Sequence, residues 1–157
     1  MELPASSTSI PRPSRTGHAV VDLIDQSHAC LAEAASAGTA AQRYAAAHLA
    51  ALRAGAAVLA VRARSDPAGS RRSRGRGPRS VWAVLADVAP ELGEWAGYFA
   101  AGAGKRAAAE AGLPHAVTAR EADDLLRDAE AFLALVCATV EMPFQQPLAG
   151  IAALLAG

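Results

Sequence analysis

The sequence predicts an all-α fold, an antiparallel up-and-down bundle of four main helices with room for a fifth short one. Three observations carry that prediction. The chain has 157 residues, 52% hydrophobic but only 4% aromatic, and alanine supplies most of the excess. Alanine is the strongest helix former and loses no side-chain entropy on ordering. Apolar residues recur at i, i+3, i+4 and i+7 in segments separated by glycine, proline and serine. The connections between segments are short except for one, and short connections favour antiparallel neighbours. The length suits one domain. Its core should be thin, with small side chains between closely packed helices.

Residues 1–16, "MELPASSTSIPRPSRT", are rich in proline and serine and read as a disordered tail. A first helix is expected from about 18 to 37. Val20, Ile24, Leu31 and Ala35 form its apolar stripe, widened by Leu23, Cys30 and Ala34, while Asp22, Asp25, Gln26 and Glu33 face away. Gly38 ends it. Thr39 and Gln42 then fit a capping box, opening a second helix that reaches about Arg64. Tyr44, His48, Ala51, Gly55 and Val58 share one stripe there, with Leu49, Leu52, Ala56 and Leu59 beside it.

From Arg62 to Ser80 the chain holds seven arginines and one acid among Gly, Ser and Pro. Nothing in it is periodic, so 64–80 is expected to be a mobile loop. Val81, Trp82, Val84, Leu85 and Val88 then make a short helix. Pro90 suits a first turn, and Leu92, Trp95, Ala96 and Phe99 keep helical spacing. The segment should fray through Gly102 and Gly104 before a further piece ending at Gly112. Thr118 and Glu121 form a second capping box, and Leu125, Ala129, Phe132, Val136 and Val140 line one face of the helix that follows. Arg120–Asp124 and Asp123–Arg127 are i, i+4 pairs on its surface. Pro143 should stop that helix. The bundle thus spans 17–142, with an apolar tail at 143–157.

Basic and acidic residues balance at fifteen each, so the chain lacks the overall positive charge of a nucleic-acid binder. Fourteen of the fifteen cations are arginine, Lys105 being the exception; with so much alanine and glycine, this reads as GC-rich codon usage. Cys30 and Cys137 both fall in apolar helical patterns and read as buried thiols. The N-terminal stretch has no apolar segment of signal-peptide length, and no stretch reaches the roughly 18 apolar residues of a membrane span. The expectation is a soluble, cytoplasmic protein without a membrane partner.

Short motifs offer little chemistry. "GAGKRA" (Gly102–Ala107) lacks the earlier glycine of a phosphate loop and has Arg106 at the Ser/Thr position. No Cys or His spacing suits zinc, and no cofactor or metal is expected. His115 falls in a loop and His18 in the tail. In the arginine loop, Arg71, Arg72, Arg74, Arg76 and Arg79 are candidates for phosphate contacts. No aromatic residue is interleaved with them to stack on bases, and a solvated linker is the competing reading.

Taken together, "RYAAAHLAALRAGAAVLA", the arginine loop leading into "RSVWAVLADVAPELGEWAGYFAAGAGKRAAAEAG", and "TAREADDLLRDAEAFLALV" resemble a bacterial subfamily of the HEPN domains from high-GC genomes. The resemblance covers roughly residues 19–140. It implies a small helical bundle that pairs as a homodimer. It also implies one of two functions: a metal-independent ribonuclease carrying an Arg, four to six residues, then a His, or an inactive module that binds RNA, a nucleotide or an operon-encoded protein in stress, defence or toxin–antitoxin systems.

Arg43 and His48 satisfy the ribonuclease spacing. Arg12 and His18 satisfy it too, in the tail. Five positions at 100° each set Arg43 and His48 about 140° apart around a helix, and His48 lies on the apolar Tyr44–Ala51–Gly55 stripe. The residues themselves therefore read as a core histidine and a surface arginine. The resemblance keeps open His48 as acid or base with Arg43 stabilising developing charge.

Overall fold

The computed structural model describes residues 15–65 and 79–155, with side chains placed as far as residue 140. These residues form five helices and no strand. They are α1 (Arg15–Ser36), α2 (Ala40–Ser65), α3 (Val81–Val88), α4 (Gly93–Glu110) and α5 (Ala119–Leu155), with a 3₁₀ turn at Pro90–Leu92. The chain is all-α, with four long helices and one of eight residues.

α2 is the centre and packs against each of the other four helices. Tyr44, His48, Ala51, Gly55 and Val58 are all buried, as their spacing predicts. Leu49, Leu52, Ala56 and Leu59 are only half-buried. Burial spreads the other way instead, over Ala46, Ala47, Ala50, Ala54 and Ala57, so the enclosed arc covers about 200° at 100° per residue. A methyl group adds little to an amphipathic pattern, so periodicity does not reveal this face. The same small volume lets neighbouring backbones approach closely. α2 is also long and apolar enough to cross a membrane by length and composition, and 56% of its most apolar window is buried inside the fold.

On α1 the buried face centres on Val20, Ser27, Cys30 and Ala34. Leu23, Ile24 and Leu31 flank it, while Ala35 is exposed. Ser27 sits in this apolar face because its hydroxyl donates to the Ala50 carbonyl of α2 at 2.8 Å, replacing the water it loses. Cys30 is buried and Cys137 half-buried.

The caps follow the sequence. Thr39 Oγ1 accepts the Gln42 N–H at 3.1 Å. Thr118 Oγ1 accepts the Glu121 N–H at 3.1 Å while the Glu121 carboxylate accepts the Thr118 N–H at 2.8 Å, a reciprocal capping box. Ser80 caps α3 by accepting the Ala83 N–H.

Several boundaries differ from expectation. α1 begins at Arg15, so His18 lies on an exposed helical face and not in a tail; residues 1–14 fall outside the described residues. α4 runs unbroken through Gly102 and Gly104. A glycine costs a helix about 1 kcal/mol relative to alanine, less than burying Phe99 and Ala96 on that helix returns. α5 continues through Pro143 and Pro147 to Leu155, because a proline removes one donor without forbidding the turns beyond it. Most of the expected apolar tail is thus helical. On the α5 surface, Arg127 pairs with Asp124, leaving Asp123 to Arg43.

Among the residues with described side chains, the aromatic ones join a single cluster, Tyr44 through the ring of His48. Trp82 of α3 stacks on Phe99 of α4 at 5.1 Å, Trp95 lies 5.4 Å from Phe132 of α5, and Phe99 lies 5.2 Å from Phe132. The thin, alanine-lined contacts of α2 and this one bulky cluster divide the core between them.

The alanine face gives a direct test. Ala51 has no exposed surface, so Ala51→Leu should overpack the centre and destabilise the fold by about 1–3 kcal/mol. Thermal denaturation followed by circular dichroism checks this; an unchanged or higher melting temperature would show slack that a close-packed α2 does not have.

Candidate functional site

His48 is 1% exposed. Its Nε2 lies 2.8 Å from the Phe99 carbonyl of α4. A carbonyl only accepts, so Nε2 carries the hydrogen and Nδ1 carries the lone pair. Nδ1 is buried without a hydrogen-bond partner. Tyr44 lies in a stacked orientation 6.5 Å away, one turn earlier on α2, and Trp82 and Phe99 meet the imidazole edge-on at 5.9 and 6.1 Å. Burial holds the imidazole below its ordinary value. The bond to Phe99 and the charge of Glu110 pull the other way, and Arg106 pushes it further down. The ring is a neutral structural donor joining α2 to α4.

Arg43 points elsewhere. Its guanidinium pairs with Asp123 of α5 at 2.5 Å and donates to the Ala37 carbonyl at 3.3 Å. It thereby holds the α1–α2 connection against α5. The two residues of the Arg-x4-His spacing are thus committed to separate partners, one on the rim of the fold and one in its interior.

Beside His48, the Tyr44 side chain occupies the space over Gly102. A Cβ at Gly102 would lie 2.7 Å from the Tyr44 hydroxyl and 3.4 Å from His48 Cδ2. The absent side chain at Gly102 is what lets α4 close over α2 at this point. Two polar bridges then fasten α4 to α5. Lys105 pairs with Glu121 at 2.5 Å, and the Tyr98 hydroxyl donates to Asp128 at 2.6 Å. The ammonium of Lys105, with the Thr118 N–H, holds the Glu121 carboxyl down at about 2. Burial and the bond to Asp128 push the Tyr98 hydroxyl upward. Neither bridge between α4 and α5 is visible in short-range sequence patterns; the spacing of Lys105 or Tyr98 from an acid on another helix carries no signal.

Of the loop arginines, Arg79 pairs with Asp87 at 2.6 Å and donates to the Ala83 carbonyl at 3.2 Å, bracing α3. Arg71, Arg72, Arg74 and Arg76 lie outside the described residues. His115 sits in the α4–α5 connection with a left-handed φ of 59°. Among the described residues no three His, Cys, Asp or Glu side chains converge as a metal site needs. An open groove of about 410 Å³ runs between α1 and α5, lined by His28, Leu31, Ala35, Glu130, Leu133 and Cys137, among others. Its walls mix the exposed Ala32, Ala35 and Ala134 with the half-buried Leu31 and Cys137 and the buried Leu133, so the core stripes do not trace it.

Two glycines on one helix separate packing from propensity. Gly102→Ala should lower the melting temperature, because its Cβ collides with the buried Tyr44. Gly104→Ala meets nothing within 4 Å and should stabilise by about 0.5–1 kcal/mol through helix propensity alone. Equal shifts in the two variants would show that α4 does not depend on close approach at Gly102.

Neither a curated protein nor a solved structure matches the chain. The model of the SAV_6107-like HEPN family matches residues 34–137, from the end of α1 to the last described turns of the α5 core stripe. That match spans the cap at Thr39, the His48–Phe99 link, the aromatic cluster and the capping box at Thr118, so the chain belongs to the SAV_6107-like HEPN family.

Proposed function

We propose that this HEPN domain is a non-catalytic, protein-binding module. It is soluble and cytoplasmic, forms a homodimer, and serves an operon-encoded partner in a stress, defence or toxin–antitoxin setting. Its four long helices alternate in direction. Arg43–Asp123 and Lys105–Glu121 gather one end of the bundle while Trp95–Phe132 lies further along it.

The observation that carries this reading is the enclosure of His48. A general acid or base must come within hydrogen-bonding reach of the group it serves. An imidazole that is 1% exposed and donates to a backbone carbonyl offers no such reach, and Arg43 is already engaged by Asp123. Charge supports a protein partner over RNA. Arg53, Arg62, Arg79, Lys105, Arg106 and Arg127 each have a carboxylate or amide partner. Little described positive charge is therefore left for phosphates, whose neutralisation drives nucleic-acid affinity. The second copy of the chain is assigned to the apolar groove between α1 and α5. Ala32 and Ala134 on its walls are exposed and admit close helix approach, and Val21 on the same side of α1 is 57% exposed.

Incubating purified protein with RNA in EDTA tests the catalytic alternative, a metal-independent ribonuclease using Arg43 and His48. The expected result is no cleavage above background, identical in His48→Ala. Cleavage that disappears in His48→Ala would establish the ribonuclease. In parallel, light scattering at micromolar concentration should report a dimer that Ala32→Glu/Ala134→Glu converts to monomer with unchanged helical circular dichroism. A wild-type monomer would remove the homodimer.

A further inference from the structure

His48 has a consequence beyond holding α2 to α4. Because Nε2–H is committed to the Phe99 carbonyl, Nδ1 is the atom that would take a proton, and it is buried with no partner. A proton there creates an imidazolium with an N–H that has no acceptor inside the enclosure of Tyr44, Trp82 and Phe99. A buried charge without a partner is strongly unfavourable. The charged groups acting on the ring are Arg106 and Glu110 of α4, one opposing the imidazolium and one favouring it. α2 adds Tyr44, whose hydroxyl burial pushes upward, out of the acid range. α3 meets the ring with Trp82, and its acid, Asp87, is held by Arg79. On α5, Glu121 is held by Lys105 and Asp128 by Tyr98.

We propose that His48 is an acid-sensitive latch, in which protonation at Nδ1 releases α4 from α2 while α4 keeps its bridges to α5. The Lys105–Glu121 bridge is suited to mild acid, because its bond to Lys105 holds the Glu121 carboxyl down at about 2. The other three histidines, His18, His28 and His115, are exposed on the surface. The sign follows from linkage. The open form binds a proton at the ordinary imidazole value of 6.5, and the closed form binds it only at lower pH. As pH falls below 6.5 the open form therefore gains, by up to about tenfold per pH unit, until the closed form also titrates.

Hydrogen exchange of the full chain between pH 7.5 and 5.0, corrected for intrinsic rates, tests the latch. In the wild type, protection across 93–110 should fall by up to about tenfold per unit below pH 6.5, with α1 and α5 unchanged. His48→Gln keeps a donor for the Phe99 carbonyl but cannot titrate, so its α4 protection should be flat with pH. His48→Leu gives the same readout if the glutamine variant does not fold. The proposal is overturned by flat protection in the wild type, by the same fall in the variants, or by a uniform loss over all helices, which would be global unfolding.

Discussion

One hydrogen bond, from His48 Nε2 to the Phe99 carbonyl, joins the two kinds of core in this protein. On the α2 side the core is built from alanines with no exposed surface, which bring backbones close but fill little volume. On the other side it is an aromatic cluster carried mainly by α3, α4 and α5. The imidazole is part of both. It sits on the α2 stripe between Tyr44 and Ala51, and its ring edge completes the wall of Trp82 and Phe99. Removing the donor alone would leave no replacement for a buried interaction, a loss of about 1–3 kcal/mol. Gly102 and Gly55 serve the same junction. At Gly55 a Cβ would lie 3.3 Å from the Trp82 ring, so the glycine admits the indole against α2.

Much of the helical scaffold was legible in the sequence, because capping residues and large apolar side chains leave local signals. Thr39 and Thr118 mark two helix starts, and the Leu125–Ala129–Phe132–Val136 stripe is buried as its spacing requires. The alanine face of α2 was not legible, since methyl groups carry little amphipathic contrast. The unbroken course of α4 was not legible either, because glycine reads as a breaker unless the close approach it permits is known. The direction of burial on α1 was hidden by Ser27, a polar residue whose partner, the Ala50 carbonyl, lies 23 positions away.

The candidate site was legible only as a question. The Arg43–His48 spacing fits the ribonuclease pattern of HEPN domains, and the chain does belong to that family. What the spacing leaves out is where each head group goes. Asp123 and the Phe99 carbonyl are 80 and 51 positions distant, beyond the reach of any local pattern. The 140° separation around α2 already set the two side chains on different faces, and the structure gives each face its own partner. The loop arginines differ again. Arg79 pairs with Asp87 of α3, and the other four lie outside the described residues.

The central claim is that His48 is a neutral, enclosed structural donor. Nitrogen-15 NMR of the imidazole at pH 7.5 tests it most directly. The account predicts an Nε2–H tautomer, with Nε2 protonated and slow to exchange with solvent and Nδ1 bare. An imidazolium, an Nδ1–H tautomer, or rapid exchange of the ring proton with water would contradict it.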